Sequence, residues 1–179
     1  MSKPKVATDW MAGCAGCHMS LLDIDERLLQ VLELIDLRAS PITDLKEADE
    51  SGVVVGVLEG GINNTANEHQ AKLMRSRCKI LVALGDCAVF GGVPAMRNFF
   101  TIEESLRRAY IETESTVDGF IPTDPELAVP TRVRAVSEVV LVDIHVPGCP
   151  PSADVIFHVL SELAQGRIPE IKDENLHWH

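Results

Sequence analysis

Three short apolar runs set what this chain can fold into: Gly52 to Leu58 (GVVVGVL), Lys79 to Leu84 (KILVAL) and Val139 to Val146 (VVLVDIHV). Each is rich in β-branched residues and apolar at consecutive positions, the pattern of strands covered on both faces. Lys5 to Thr8 and Leu37 to Ser40 read as two shorter strands. Between these runs the period changes to that of a helix. Ser20 to Asp36 places Leu21, Ile24, Leu28, Val31, Leu32 and Ile35 on one face, with Ser20 positioned as a cap and Asp23 three residues on. Asn64 to Arg77, Thr101 to Tyr110 and Ser152 to Gln165 also read as helices.

Strands alternating with helices predict an α/β fold. About five strands in this length point to a flavodoxin-like doubly wound parallel sheet, with residues 1–179 forming a single domain. Ligands of such folds sit outside the carboxyl ends of the strands. Residues 111–137 depart from the pattern: Pro122, Pro125 and Pro130 stand among acidic residues, which predicts an irregular excursion, either a solvated loop or a partner-binding one. The tail His177-Trp178-His179 reads as a packing or interface end.

Composition narrows the partners. Aromatic residues make up 4% of the chain, so the core must rest on Val, Leu, Ile and Ala. The net charge of −11 repels phosphates, which argues against nucleic acid and anionic membranes. No apolar run approaches the roughly 20 residues that span a bilayer. The start, Met1-Ser2-Lys3-Pro4-Lys5, leads into an apolar segment too short for a signal peptide, with no twin-arginine pair before it. A cytoplasmic location is expected. Five cysteines in a reducing compartment point to metal or redox chemistry rather than disulfides.

Four of those cysteines follow strands. Cys14 and Cys17 lie in Gly13-Cys14-Ala15-Gly16-Cys17, Cys87 in Gly85-Asp86-Cys87, and Cys149 in Pro147-Gly148-Cys149-Pro150-Pro151. A parallel sheet carries all three loops to one edge, and four thiolates there suit an iron–sulfur cubane. The loops are glycine-rich, permitting close backbone approach, and backbone N–H groups and helix N-termini favour a negatively charged cluster. Pro150-Pro151 is placed to open the last helix. Zinc is the inorganic rival, although structural zinc sites tend to use two close cysteine pairs and only one exists here. Cys78, at the start of a strand and so at the opposite end of the sheet, reads as a buried core thiol.

With these motifs in order, the sequence resembles the small subunit of NiFe hydrogenases, most closely the cytoplasmic bidirectional type that couples hydrogen to NAD(P). The carriers are Asp9-Trp10 through Gly13-Cys14-Ala15-Gly16-Cys17-His18-Met19-Ser20, then Glu59-Gly60-Gly61-Ile62, then Gly85-Asp86-Cys87 with Gly91-Gly92, and Pro147-Gly148-Cys149-Pro150-Pro151. The resemblance implies a flavodoxin-like fold and one proximal [4Fe–4S] cluster on Cys14, Cys17, Cys87 and Cys149. It implies a large-subunit partner carrying the NiFe centre, where hydrogen is split, and a diaphorase module with further clusters, FMN and the NAD(H) site. No residue of this chain would be catalytic. Many relatives carry two more clusters in a C-terminal domain; no cysteine follows Cys149 here, so one cluster is expected.

Many relatives also have an acid directly after the second cysteine of the pair, where His18 and Met19 stand here. Any proton route through that acid is then in question. Glu59 is a candidate replacement, an occasional ligand to an oxidised cluster, or simply a hydrogen-bond acceptor for loop backbone. His18 is a candidate donor to a cluster sulfur or a plain loop histidine. Gly13 and Gly148, beside the ligands, are further candidates for shaping the site. Two other functions share the fold. A cluster subunit of a quinone-reducing respiratory complex typically has adjacent cysteines in the first loop, whereas two residues separate Cys14 and Cys17. A flavin module could admit FMN at the same edge, but a Ser/Thr-rich phosphate loop after the first strand is absent. The edge near Cys87 also carries Val89, Phe90, Val93 and Met96, an apolar surface suited to a permanent partner.

Overall fold

The computed structural model describes residues 3–171; the His177-Trp178-His179 tail lies outside them. The elements run β1 (Lys5–Trp10), α1 (Gly16–Leu22), α2 (Arg27–Leu34), β2 (Asp36–Ala39), β3 (Val53–Glu59), β4 (Ile62–Asn64), α3 (Thr65–Arg77), β5 (Cys78–Leu84), α4 (Asp86–Phe90), a 3₁₀ segment (Val93–Phe99), α5 (Ile102–Tyr110), β6 (Pro130–Arg134), a 3₁₀ turn (Val136–Glu138), β7 (Ile144–Val146) and α6 (Ala153–Ala164). The main sheet has five parallel strands in the order β2-β1-β3-β5-β7. Counted among themselves these strands run 2-1-3-4-5, the predicted doubly wound order.

The strand period sorts side chains onto two layers. Val82 and Leu84 of β5 face one side, where α1, α2 and α6 supply Cys17, Val31, Val155, Ile156, Val159 and Leu163. Leu81 and Ala83 face the other, against Ala71 and Met74 of α3 and Ala88 of α4. β1 and β3 stay paired to their carboxyl ends, but the connection after β1 runs to α1 on one face and that after β3 runs to α3 on the other, the switch point at which such sheets bind ligands. Asn64 caps α3, accepting from the Asn67 N–H at 2.8 Å, and Thr101 with Glu104 forms a capping box on α5. Among the described residues no helix is long and apolar enough to cross a membrane.

Several expectations are corrected. The helix expected over Ser20 to Asp36 is two helices, broken where Asp25 adopts the left-handed conformation at φ 56°. Aspartate tolerates that conformation better than most residues. The break still turns Ile24, Val31 and Ile35 into the core with Leu21 and Leu28 beside them, while Leu32 is exposed. Ser20 is not a cap but an interior residue of α1. The last strand is confined to Ile144–Val146, because Asp143 uses its carboxylate to take the Leu81 N–H at 2.7 Å and Val139, Val140 and Val142 instead pack beside the 3₁₀ turn. Pro150 and Pro151 precede the cap of α6, which is Ser152. Within 111–137, the irregular excursion ends in β6, which pairs antiparallel with β4 in a separate two-stranded sheet.

Candidate metal centre

The three cysteine loops meet at the carboxyl edge of the sheet. Cys14 lies exposed in the turn after β1, and Cys17 is buried in the first turn of α1. Cys87 is the second residue of α4, and Cys149 is exposed after β7. Hydrogen bonds tie the loops to one another. The Asp86 N–H donates to the Gly148 carbonyl at 2.8 Å, and the Asp86 carboxylate accepts the Gly148 N–H at 2.7 Å. Ser20 Oγ donates to the Pro151 carbonyl at 2.6 Å, fastening α1 to the Cys149 loop. Neither contact can be read from the sequence; the place of Asp86 directly before Cys87 is the one signal it offers.

Two glycines are required by the packing. Gly85 has φ 84°, and a Cβ there would lie 2.2 Å from Cys17 Sγ. Gly148 has φ 137°, and a Cβ there would come within 2.6 Å of Pro151. Both conformations belong to glycine. Gly13 is under no such demand: a Cβ there would make ordinary contact with Gly60 at 3.4 Å.

Burial dominates the two inner thiols. Burial pushes the Cys17 thiol well above the usual range, and Glu59, Cys87, Cys14 and Cys149 add to the effect. Burial also pushes Cys87 up, opposed by the Val93 N–H and reinforced by Cys149, Cys14 and Glu59. As free thiols these groups hold their protons; a cationic metal would displace them.

A single tetrahedral zinc would need sulfurs about 3.8 Å apart, given its Zn–S bond length. Among the described residues no three His, Cys, Asp or Glu side chains are gathered as one ion requires. Cys78 is buried among Leu81, Met74 and Ala71 at the start of β5, on the far end of the sheet from the other four.

Glu59 ends β3 and is buried under the first cysteine loop. Its Oε1 accepts the Cys17 N–H at 3.2 Å, and its Oε2 accepts the His18 N–H at 2.9 Å and pairs with His18 Nδ1. Burial works to raise its pKa, but these hydrogen bonds from His18 and Cys17 outweigh it and hold the carboxyl below its usual range. Of the roles open to Glu59 from the sequence, acceptance of loop backbone is the one this geometry displays. His18 is neither in a loop nor aimed at a sulfur. It lies in α1 at 1% exposure, with Nδ1 on Glu59 and Nε2 3.0 Å from Thr8 Oγ1. The edge of Trp10 closes on its ring, centroids 5.5 Å apart.

Comparisons with known proteins agree with this architecture. Residues 14–163 match the family described as NADH ubiquinone oxidoreductase, 20 Kd subunit. The chain is 43% identical to the delta subunit of the NAD-reducing hydrogenase HoxS of Cupriavidus necator, over 92% of this chain and 80% of that one. It is 40% identical to a subunit of the F420-non-reducing hydrogenase of Methanothermobacter marburgensis, covering 97% of this chain and 58% of the relative, so it spans little more than half of that protein's length. A chain in the crystal structure of an NAD+-reducing [NiFe]-hydrogenase in the H2-reduced state superposes with a TM-score of 0.93 at 38% identity, covering 99% of this chain and 100% of that one. The chain therefore belongs to the NADH ubiquinone oxidoreductase 20 Kd subunit family, among its small subunits of NAD-reducing NiFe hydrogenases.

Proposed function

We propose that this chain is the electron-transfer subunit of an NAD(P)-linked NiFe hydrogenase in the cytoplasm and holds one [4Fe–4S] cluster on Cys14, Cys17, Cys87 and Cys149. The observation that carries the reading is that the three loops holding these four cysteines leave the carboxyl ends of β1, β5 and β7 in one parallel sheet and are fastened to one another through Asp86 and Ser20. When bound, such a cluster accepts and releases one electron at a time. The chain's own residues hold it in place. Gly85 leaves room for Cys17 Sγ, Asp86 pins the Cys149 loop, and the Val93 N–H points at Cys87.

The same edge supplies a reason for a large partner. Phe90, Val93, Met96 and Phe99 are 64%, 65%, 62% and 85% exposed. Val89, expected among them, is instead partly buried against the core. Phe100 continues the patch. A surface this apolar belongs in a permanent interface of more than roughly 2,000 Å² in total. A NiFe large subunit would cover it, and a diaphorase module would take the electrons onward to NAD(P). Hydrogen chemistry would belong to the large subunit, since the four cysteines at this edge are committed to iron–sulfur work.

Co-expression with a NiFe large subunit and its maturation machinery tests the reading. The expected product is a soluble complex that reduces a dye with hydrogen, while the chain alone aggregates or loses its cluster in air. A monodisperse monomer that keeps its cluster and has no affinity for such a subunit would overturn it.

A further inference from the structure

Five polar or charged residues are buried among the described residues: Thr8, His18, Ser20, Ser40 and Glu59. Ser20 is accounted for by its bond to Pro151. The other four form a single hydrogen-bonded string. Glu59 Oε2 meets His18 Nδ1 at 2.5 Å, His18 Nε2 meets Thr8 Oγ1 at 3.0 Å, and Thr8 Oγ1 meets Ser40 Oγ at 2.8 Å. The string starts at the end of β3, passes through α1, returns to β1 and finishes just beyond β2. No buried side-chain nitrogen or oxygen among the described residues lacks a partner.

Burying four polar side chains costs more than packing apolar ones in their place, unless the network does something packing cannot. Here it controls direction. Both Glu59 oxygens are committed, Oε1 to the Cys17 N–H and Oε2 to the His18 N–H and ring. The ring that presents Nδ1 to Glu59 is packed against Trp10, and Thr8 anchors its other nitrogen. Ser40 fixes Thr8 in turn, and is itself seated in the turn after β2 by Ser40 N–H donation to the Leu45 carbonyl at 2.7 Å.

We propose that Thr8 and Ser40 are positioning residues for the first cysteine loop: acting through His18, they keep Glu59 clamped on the backbone of Cys17 and His18, at a fixed distance from the cluster. This rests on the cluster reading above. Without the Thr8 hydroxyl, His18 loses its outer anchor, and Glu59 is held chiefly by the Cys17 and His18 N–H groups, which leaves its carboxylate freer to shift toward the sulfurs. A negative charge brought closer to the cluster lowers its reduction potential and changes the symmetry of its surroundings.

The test compares the assembled complex carrying Thr8→Val, which keeps the shape and removes the hydroxyl, with Thr8→Ser, which keeps the hydroxyl. Iron and sulfide content, the electron paramagnetic resonance spectrum of the reduced cluster and its midpoint potential are measured for each. Thr8→Val should retain its iron but show a broadened or second signal and a lower potential, and Thr8→Ser should match the wild type. Ser40→Ala should move the same way by less, and it carries the test if Thr8→Val fails to fold. Hydroxyl-free variants with the wild-type spectrum and potential would overturn the proposal even if they were less stable, because the string would then serve stability alone. A wild-type complex with no cluster at this edge would overturn the cluster reading itself and the proposal with it.

Discussion

Asp86 and Gly148 hold each other from both sides, the Asp86 carboxylate accepting the Gly148 N–H at 2.7 Å and the Gly148 carbonyl accepting the Asp86 N–H at 2.8 Å. The residue before Cys87 is thereby locked to the residue before Cys149. Asp86→Ala leaves the Gly148 N–H without its charged partner, a loss of about 1.5–3 kcal/mol for a hydrogen bond of this type. The expected outcome is a lower thermal midpoint and faster bleaching of the cluster absorbance in air. Asp86→Asn keeps an acceptor oxygen and should fall between the two. A bleaching rate for Asp86→Ala equal to wild type would show that the two loops are held independently.

Gly85→Ala should disrupt the site while leaving all four cysteines in place. The backbone conformation at φ 84° and ψ 161° is essentially confined to glycine and costs a residue with a side chain about 1–3 kcal/mol, and the added methyl would overlap Cys17 Sγ. Iron per chain should drop well below wild type. Gly166→Ala is the control, because Gly166 also has a positive φ of 76° but nothing within 4 Å of the added carbon. It should lose some stability and keep its iron. Equal iron in both variants would contradict the packing described at Cys17.

Glu68 ties α3 to β6, with Arg134 and Lys72 as partners. Hydrogen bonds from Lys72 and then Arg134 lower its pKa to about 2. A depressed carboxylate contributes stability in full above its unfolded pKa, about 4.3, and loses it as the pH falls toward the folded value. The difference in thermal midpoint between wild type and Glu68→Gln should therefore be constant from neutral pH to about pH 5 and shrink below about pH 4. Both partners are accessible to solvent, so added salt should also shrink it. A difference independent of both pH and salt would assign the effect of the substitution to something other than the charge.

Much of this arrangement was legible in the residues. The strands at Val53–Glu59 and Cys78–Leu84 could be read from unbroken apolar runs, because strands buried on both faces have no polar side to interrupt them. The shared edge of Cys14, Cys17, Cys87 and Cys149 followed from a parallel sheet carrying its loops to one end. Periodicity could not show that Asp25 leaves the helical region, since the stripe through Ile24 and Val31 continues across the break. It misread Val139 to Val142 because apolar residues packing beside a turn look the same in sequence as a strand. The pairing of Thr8 with Ser40, and of Asp86 with Gly148, depends on contacts between elements far apart in the chain. His18 stands beside Cys17 in the sequence, but its partners come from β1 and β3, and only the fold brings them to it.

The central claim is that the four edge cysteines together hold one cubane cluster, and metal and sulfide analysis of the anaerobically purified protein tests it most directly. The expected content is about four iron and four sulfide per chain with zinc near zero. That content should survive Cys78→Ser, at a cost on the order of 1 kcal/mol in packing, and be lost or degraded in Cys149→Ser. Stoichiometric zinc without iron, or a protein that loses its iron with Cys78→Ser and keeps it with Cys149→Ser, would contradict the account.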